Sequence, residues 1–483
     1  MTKPMLKQLA LAITAACMLQ ACAIPAALTR KADATLPEQF AQGAPAGSSA
    51  ANTDWGTLFE DPALSALIDT AISNNKEVNI LLQRINMAAN EIQARQGEYL
   101  PFVGIGAASE VEKVGEFTRD GAVEENLSIG DGEEFPEPLA NFRGGLVASW
   151  EVDVWKKLRN ATKVASMEYL ASVEGRNFLL TNLVAEVAND YYELMALDNQ
   201  LGNLDQYIEV QRNALGVTRE LLSAGRTTSL AVNRFEAEVS KNESERFAIQ
   251  QRIVETENHL NLLLGRTPQP IARASSGLMS LEPALVQTGI PSELLENRPD
   301  IRQAELEMTA ADLNIAVAKA NFYPSFAIRA GVGFEAFKPE HLLDTPASLA
   351  YSLAGDVVAP LVNRKAISAL YQNASAAQIE ATYDYEQTVI NAFSEVSTKV
   401  AAIDNLAKNY QLKVDQVTAL TSSVEVANQL FRAARADYLE VLLAQREALE
   451  ARSELIETKQ RQMSAVVNLY RALGGGWQQT ATQ

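Results

Sequence analysis

Residues 101–112 read PFVGIGAASEVE, and residues 324–335 read PSFAIRAGVGFE. In both stretches, apolar side chains alternate with small or polar ones directly after a proline. A period of two over about ten residues is typical of a membrane β-barrel strand, which has one face toward lipid and the other toward water. Similar alternation surrounds Leu146 and Leu349. We therefore predict strands near 102–112, 142–154, 325–335 and 348–358.

The chain is internally duplicated. Asn74 and Pro101 align without a gap with Asn297 and Pro324, and Gly225 aligns with Ala434 in a second ungapped match. The repeats are far longer than solenoid units, whose periods are roughly 20 to 50 residues. They indicate two copies of a half-structure around a pseudo-symmetric axis, as in a ring or a tube.

Long helices are predicted on either side of the strand pairs. The stretches with few glycines and no proline are 156–222, 227–264, 364–433 and 437–473. At 1.5 Å per residue, the longer ones would reach on the order of 100 Å. Narrow apolar stripes, such as the one through Leu183, Val187 and Leu194 or the one through Leu439, Leu442, Leu443 and Leu449, indicate coiled-coil packing.

One more helix should begin at Asp61-Pro62, because the acid can cap it and proline is tolerated in its first turn, and should run to about Gly97. The helices alone fit an ordinary soluble bundle equally well. The alternating strands favour a membrane protein.

The N-terminus is predicted to be an export signal. Lys3 and Lys7 precede a short apolar segment that is too short to span a bilayer, and the segment ends at Leu19-Gln-Ala-Cys22. This end is similar to a bacterial lipobox, so we predict that Cys22 carries the N-terminal lipid and that the chain is delivered to the outer membrane. An ordinary thiol at Cys22 is the alternative. Residues 26–51 are rich in Ala, Pro, Gly and Ser and are expected to form an extended tether.

Composition excludes several kinds of function. The formal net charge of -19 would repel nucleic acid and anionic membrane surfaces and attract cations. The two histidines, His259 and His341, share no ligand spacing with each other or with a cysteine, and no phosphate loop or nucleophile motif appears. We expect no metal site, no cofactor and no enzymatic activity.

The strand pairs enclose polar loops of unequal length. The first, 113–141, is strongly acidic, and the second, 335–346, is about half as long. Both are predicted to be exposed extracellular loops. Four strands cannot close a barrel, because open edges are excluded from lipid and bacterial barrels begin at eight strands. The strands of several chains must therefore combine.

An ordered set of motifs resembles the outer membrane factors of tripartite efflux systems, the TolC-like family, and within it the lipoprotein branch around OprM, CusC and NodT. The motifs are Phe59-Glu-Asp-Pro-Ala-Leu64, Ser149-Trp-Glu-Val-Asp-Val-Trp155, Asn297-Arg-Pro-Asp-Ile-Arg302, Asn321-Phe-Tyr-Pro324 and Asp437-Tyr-Leu-Glu-Val-Leu-Leu-Ala-Gln-Arg446. The resemblance covers nearly the whole chain after the signal. It implies a homotrimer with a twelve-stranded outer-membrane β-barrel and an α-helical barrel that crosses the periplasm. It also implies two partners, a periplasmic adaptor protein and an inner-membrane pump of the RND class.

The resemblance also suggests where solute passage is controlled. Many relatives have an aspartate immediately before Ala-Gln-Arg of the last helix, where it lines the periplasmic aperture, whereas this chain has Leu443. The candidates for the aperture are Arg435, Asp437, Glu440, Leu443 and Arg446. The candidates for adaptor docking are Gly225, Arg226, Ala434 and Arg435, in two turns expected at the helix ends away from the strands. For Arg435, Asp437 and Glu440 a solvated polar face is the alternative, and Arg446 could pair within the coiled coil.

The predicted organisation has six parts. They are a signal peptide (1–21), a lipid-anchored tether (22–54), a first repeat (55–269), a connector (270–296), a second repeat (297–474) and a C-terminal tail (475–483). A periplasmic coiled-coil adaptor or structural lipoprotein without a channel is the alternative function. It explains the helices and Cys22 but not the paired strands.

Overall fold

The computed structural model describes residues 24–33, 35–40, 49–129, 132–433 and 435–478. The signal peptide and Cys22 lie outside these residues. The helices are α1 Trp55–Phe59, α2 Pro62–Asn74, α3 Lys76–Glu98, α4 Arg119–Asn126, α5 Lys157–Ser223, α6 Ser229–Leu263, α7 Glu293–Asn297, α8 Pro299–Ala320, α9 Lys365–Arg432 and α10 Tyr438–Ala472. Short 3-10 turns cover Ala50–Asn52, Ser275–Ser280 and Pro339–His341. The strands are β1 Phe102–Glu112, β2 Ser128–Ile129, β3 Glu133–Glu134, β4 Leu139–Glu151, β5 Ser325–Ala336 and β6 Leu349–Val358.

Four long strands form one antiparallel sheet in the order β1-β4-β5-β6. The central pair joins the two halves of the duplication, because β4 belongs to the first half and β5 to the second. Strand β4 ends at Glu151, before the predicted end near 154. Asp153 is used instead to start α5, since its carboxylate accepts the backbone N–H groups of Leu158 and Arg159 at 3.1 and 3.0 Å.

The acidic segment after β1 contains more structure than the predicted loop. Helix α4 begins after Thr118, whose hydroxyl accepts the backbone N–H of Gly121 at 3.1 Å. The small β2-β3 hairpin follows it.

The single helix predicted from Asp61 to Gly97 is wrong. Asp61 does cap α2, but this helix ends at Asn74. The Asn75 side chain then accepts the backbone N–H groups of Glu77 and Val78 at 2.8 and 3.0 Å and begins α3. A residue with the side chain of an N-cap can interrupt a helical pattern that hydrophobic spacing alone shows as continuous.

The long helices agree with the predicted stretches. Helices α5 and α9 contain 67 and 68 residues, and α6 and α10 contain 35 each. Among the described residues, no helix is both long and apolar enough to cross a membrane.

The chain divides into two compact units, and each takes residues from both halves of the duplication. The sheet unit contains residues up to Lys31, Met87–Tyr169 and Leu306–Thr382, and the helical unit contains Ala32–Asn86, Leu170–Glu305 and the chain from Tyr383 onward. The helical unit has an apolar core in which Leu64, Ile68, Leu180, Leu194 and Leu260 are completely buried. The stripe predicted around Leu183 and Leu194 lies in this core.

The duplication is visible in the helical unit at the ends of α6 and α10. Gly265 and Gly474 both have positive φ, of 64° and 89°. A Cβ atom on Gly265 would collide with the carbonyl oxygen of Asn74, and one on Gly474 would lie 2.5 Å from that of Asn297. Both positions therefore require glycine for conformation and for close approach of another backbone segment.

The described residues of the predicted tether contact the rest of the chain. Residues 24–33 and 35–40 form no helix or strand, yet several of their backbone groups are hydrogen-bonded to side chains of α9.

Candidate functional site: the two faces of the sheet and the helix turns

The register of the sheet separates two faces. Residues that are paired across antiparallel strands project to the same side. Ile105, Leu146, Val332 and Tyr351 are aligned across all four strands, and so are Val103, Ala148, Ala330 and Leu353. The paired strand residues on this face include no charged side chain. Ile105, Leu353 and Tyr351 are 86%, 79% and 83% exposed in the single chain, as expected for side chains that meet lipid.

The opposite face carries all the charged side chains of the four long strands. They are Glu110, Glu112, Arg143, Glu151, Arg329, Glu335 and Asp356. Arg329 forms an ion pair with Asp356 at 3.3 Å, and Asn141 donates a hydrogen bond to Glu335 at 2.5 Å. This face is therefore suited to water and dissolved ions, and its excess of carboxylates favours cations.

Glycines cover the middle of the charged face. Gly145 and Gly333 are paired in the register, and a Cβ atom on either would collide with the backbone of the other strand. The small residues leave space of about 500 Å³ beside the sheet. A large side chain at Gly333 would therefore collide with the backbone of β4, although this position is on the charged face.

Each of the two outer strands, β1 and β6, has one unpaired edge. Within the described part of the chain, β1 pairs only with β4, and β6 pairs only with β5. Unpaired strand edges within a bilayer would leave backbone N–H and C=O groups without partners.

Aromatic residues are anchored where the strands meet the helices. Trp150 donates its indole N–H to the carbonyl of Tyr99 at 2.9 Å, and Trp155 donates to that of Pro324 at 2.7 Å while stacking on Tyr323. Tryptophan and tyrosine are typical of the membrane–water interface.

The first predicted docking turn connects α5 and α6. Gly225 has a φ of 68°, and the backbone N–H of Arg226 donates to the carbonyl of Leu221 at 2.8 Å. These features define a helix end with a left-handed glycine. Gly225 and Arg226 are exposed.

The second predicted turn connects α9 and α10 with the same hydrogen bond. The backbone N–H of Arg435 donates to the carbonyl of Leu430 at 2.8 Å, at positions that match Arg226 and Leu221 in the duplication. Ala434 lies outside the described residues. Arg435 is exposed, so each turn presents an arginine to solvent.

The aperture candidates are distributed along the first turns of α10. Asp437 caps this helix and accepts the backbone N–H of Tyr438 at 2.7 Å, and Glu440 is exposed. Leu443 is half-buried. The Nε atom of Arg446 lies 3.9 Å from a carboxylate oxygen of Glu450 on the same helix, a weak pair. The structure thus places these five residues on one segment, and no ion pair joins any two of them among the described side chains.

Sequence reasoning placed Leu442 in an apolar stripe but did not identify which residues it packs against in the other helical hairpin. Leu442, next to Leu443, is buried in a cluster with Leu215, Phe235 and Val239 from α5 and α6. Gln445, one turn further along, is 4% exposed, and its Oε1 atom has no hydrogen-bond partner among the described residues. The burial of this amide could not be predicted from periodicity, because glutamine is common on exposed helix faces.

Two arginines with little exposure connect helices of the helical unit. Arg273 binds Asp198 through two hydrogen bonds, at 2.6 and 2.9 Å, and also binds Glu257. Burial alone would raise the pKa of Asp198, but the hydrogen bonds from Arg273 and Ser275 outweigh it and lower this pKa. The arrangement is structural, since every charge is paired.

Arg298 is the second such arginine, and its side chain is only 7% exposed. It binds Asp300 at 2.7 Å and Glu395 at 3.0 Å, and it donates to the carbonyl of Ala472 at 2.7 Å. Burial would raise the pKa of Glu395, yet the bonds from Arg298 and Arg471 lower it.

The histidines do not form a site of their own. The Nδ1 atom of His259 lies 2.6 Å from a carboxylate oxygen of Asp190, and His341 contacts Asp344 in the loop after β5. Among the residues that the structure covers, no group of three His, Cys, Asp or Glu side chains could hold a metal ion.

Comparison with known proteins identifies the class. The family model described as outer membrane efflux protein matches residues 67–266 and 290–475, one segment in each half of the chain. The solvent efflux pump outer membrane protein SrpC of Pseudomonas putida is 29% identical over 427 residues, which cover 87% of each chain. The probable outer membrane lipoprotein SilC of Salmonella typhimurium is 25% identical over 478 residues, 98% of this chain and 100% of that protein. The open state of the MtrE outer membrane channel of Neisseria gonorrhoeae superposes with a TM-score of 0.81 at 22% identity, covering 94% of this chain and 98% of that one.

The chain belongs to the outer membrane efflux protein family. The predicted resemblance and the predicted fold class, long paired helices with four strands per chain, are confirmed.

Proposed function

We propose that the chain is the exit duct of a tripartite efflux pump, which passes drugs or other small solutes across the outer membrane to the exterior. The sheet register carries this proposal, because it gives each chain one face without charge and one face with every charged strand residue. A wall between lipid and water needs this separation. A structural lipoprotein without a channel would not need this separation of charged and uncharged faces. The duct performs no covalent chemistry and needs no cofactor.

Three copies are the proposed assembly. One chain supplies four strands with two open edges, and pairing of β1 in one copy with β6 in the next closes a ring without any edge. A homotrimer then has a twelve-stranded barrel, within the range of bacterial outer-membrane barrels.

The proposed partners are a periplasmic adaptor and an inner-membrane pump of the RND class. The names of relatives support this, since SrpC is a component of a solvent efflux pump. The two turns that contain Gly225, Arg226, Ala434 and Arg435 are the proposed docking positions. The described residues of both turns are exposed and share the same backbone hydrogen bond, so one adaptor surface could recognise both.

The proposed aperture extends from Arg435, in the turn before α10, to Arg446 on α10. Closure there should depend on contacts that are easily broken, and exposed ion pairs contribute only about 0 to 1 kcal/mol each. Leu443 supplies an apolar position in the same segment, beside Asp437 and Glu440.

The lipid on Cys22 is part of the proposal. The name of SilC as an outer membrane lipoprotein supports it. Replacement of Cys22 by Ser should abolish labelling by an alkyne fatty acid, and persistent labelling would contradict the assignment.

The central experiment measures assembly and conduction together. Purified protein in mild detergent should migrate as a compact oligomer on an unheated gel, dissociate on boiling and form stable channels in planar bilayers. A monomer without conductance would instead support the structural lipoprotein.

A further inference from the structure

A row of buried polar side chains on α9 faces the N-terminal segment. Gln378 and Thr382 are 2% and 0% exposed. The Oε1 atom of Gln378 accepts the backbone N–H of Arg30 at 3.0 Å, and its Nε2 atom donates to the carbonyl of Arg30 at 2.8 Å. One side-chain amide thus pairs with both backbone groups of a single residue, as a neighbouring β-strand would.

Two more side chains of α9 bind backbone groups of the same segment. The hydroxyl of Ser375 donates to the carbonyl of Leu28, whose own side chain is 75% exposed. In the helical unit, the carboxylate of Glu386 accepts the backbone N–H of Asp33 at 2.8 Å. In these contacts, Leu28, Arg30 and Asp33 all use main-chain atoms.

An aromatic contact fixes the end of this segment. Phe40 is 7% exposed and stacks on Phe393 of α9, with ring centroids 5.6 Å apart and planes inclined by 16°. Within the helical unit, this contact holds Phe40 against α9.

We propose that residues 24–33 and 35–40 form an N-terminal strap, which α9 recognises mainly through backbone atoms, and that this docking fixes where the mature N-terminus meets the membrane. The buried amide of Gln378 gives the physical reason, since without the strap its donor and acceptor would lose the backbone of Arg30. An extended chain spans at most about 3.5 Å per residue, so a lipid on Cys22 stays within roughly 20 Å of the Ser375 contact. The strap does not depend on the lipid.

Hydrogen exchange on the full-length protein in detergent tests the proposal. The amides of Arg30 and Asp33 should be protected in the parent chain. Gln378→Leu, which keeps the size of the side chain, should accelerate exchange at Arg30 about tenfold, because the segment then opens locally. Gln387→Leu is the matched control, since Gln387 is exposed on the same helix and its amide donates a hydrogen bond to Asn391. Ser375→Ala is a milder variant in case Gln378→Leu does not fold, and it should accelerate exchange at Arg30 by a smaller factor.

A second arm separates docking from lipidation. A chain that carries Cys22→Ser and is exported with a non-lipoprotein signal should keep the protection of Arg30 and Asp33. Trypsin cleavage after Arg30 and Lys31 should follow the same order of variants. Rapid exchange at Arg30 in the parent chain, or equal acceleration by Cys22→Ser and Gln378→Leu, would overturn the proposal.

Discussion

Leu146 and Val147 provide a direct test of which face of the sheet meets lipid. They are adjacent in β4 and are 51% and 50% exposed in the single chain, so their burial does not distinguish them. The register of the sheet distinguishes the two residues, because Leu146 is aligned with Ile105 and Val332, whereas Val147 is aligned with Gly104 and Gly331. Arginine at each position compares the two faces at one depth.

The expected costs differ strongly. Arginine on the lipid face costs roughly 2 to 4 kcal/mol near the middle of the bilayer, so Leu146→Arg should destabilise a trimer by roughly 6 to 12 kcal/mol in total. Arginine at Val147 would extend over a surface of glycines into water, where substitutions usually change stability by about 0.5 kcal/mol or less. Even 2 kcal/mol per chain corresponds to about a 30-fold change in the folding equilibrium.

The assay is the fraction of heat-modifiable oligomer after refolding into liposomes over a urea series. Leu146→Met and Val147→Met are the matched controls, and both should assemble like the parent chain. Equal loss of assembly by the two arginine variants, or greater loss for Val147→Arg, would refute the assignment of the faces.

Three further predictions concern the helical unit and its turns. Gly474→Ala should destabilise the protein by about 2 kcal/mol or more in chemical denaturation, since alanine is strained at positive φ and its Cβ would meet the carbonyl of Asn297. The control is Gly202→Ala, which lies in a helix with open space around it and should be neutral or stabilising. The folded-state pKa of Glu395 lies below its ordinary value of 4.5, so its contribution to the free energy of unfolding is present above that pH and should be lost as pH falls through the folded pKa. Glu395→Gln should therefore flatten the acid limb of a plot of stability against pH, and an unchanged limb would contradict this. Leu443→Ser should raise single-channel conductance in planar bilayers if the aperture lies there, while Gly225→Pro should impair adaptor binding and leave conductance unchanged; an unchanged conductance in Leu443→Ser would place the constriction elsewhere.

The strands were predictable because the pleat imposes a period of two on any strand with two different environments. The alternation predicts that Leu146, Val152, Ile328 and Val332 face lipid. Leu146, Ile328 and Val332 do lie on one face of the observed sheet, whereas Val152 follows the end of β4. The pairing of β4 with β5 could not be predicted, since antiparallel order between the two halves leaves no mark in the local pattern of either strand.

The candidate site was only partly accessible to sequence reasoning. The two turns follow from Gly225 and the duplication, and their backbone hydrogen bonds match. The packing between the two helical hairpins could not be predicted in the same way. Leu442 and Leu443 are both leucines in one apolar stripe, and only the rotation of the helix decides which one is buried. The break at Asn75 was missed for a similar reason, since its side chain replaces backbone hydrogen bonds that a hydrophobic pattern does not report.

The two halves of the chain also bind the end of a long helix with different side chains. Asn75 and Arg298 occupy matching positions, and each donates to a carbonyl at the end of a long helix, Asn75 to Leu263 at 2.9 Å and Arg298 to Ala472 at 2.7 Å. The amide needs no counter-charge, whereas a buried guanidinium is stable only with carboxylates beside it, and one of these is Glu395 on α9. The arginine therefore joins three segments of the second half where the asparagine joins two in the first. Because this extra connection depends on an ionised carboxylate, acid should weaken the helix end of the second half before that of the first.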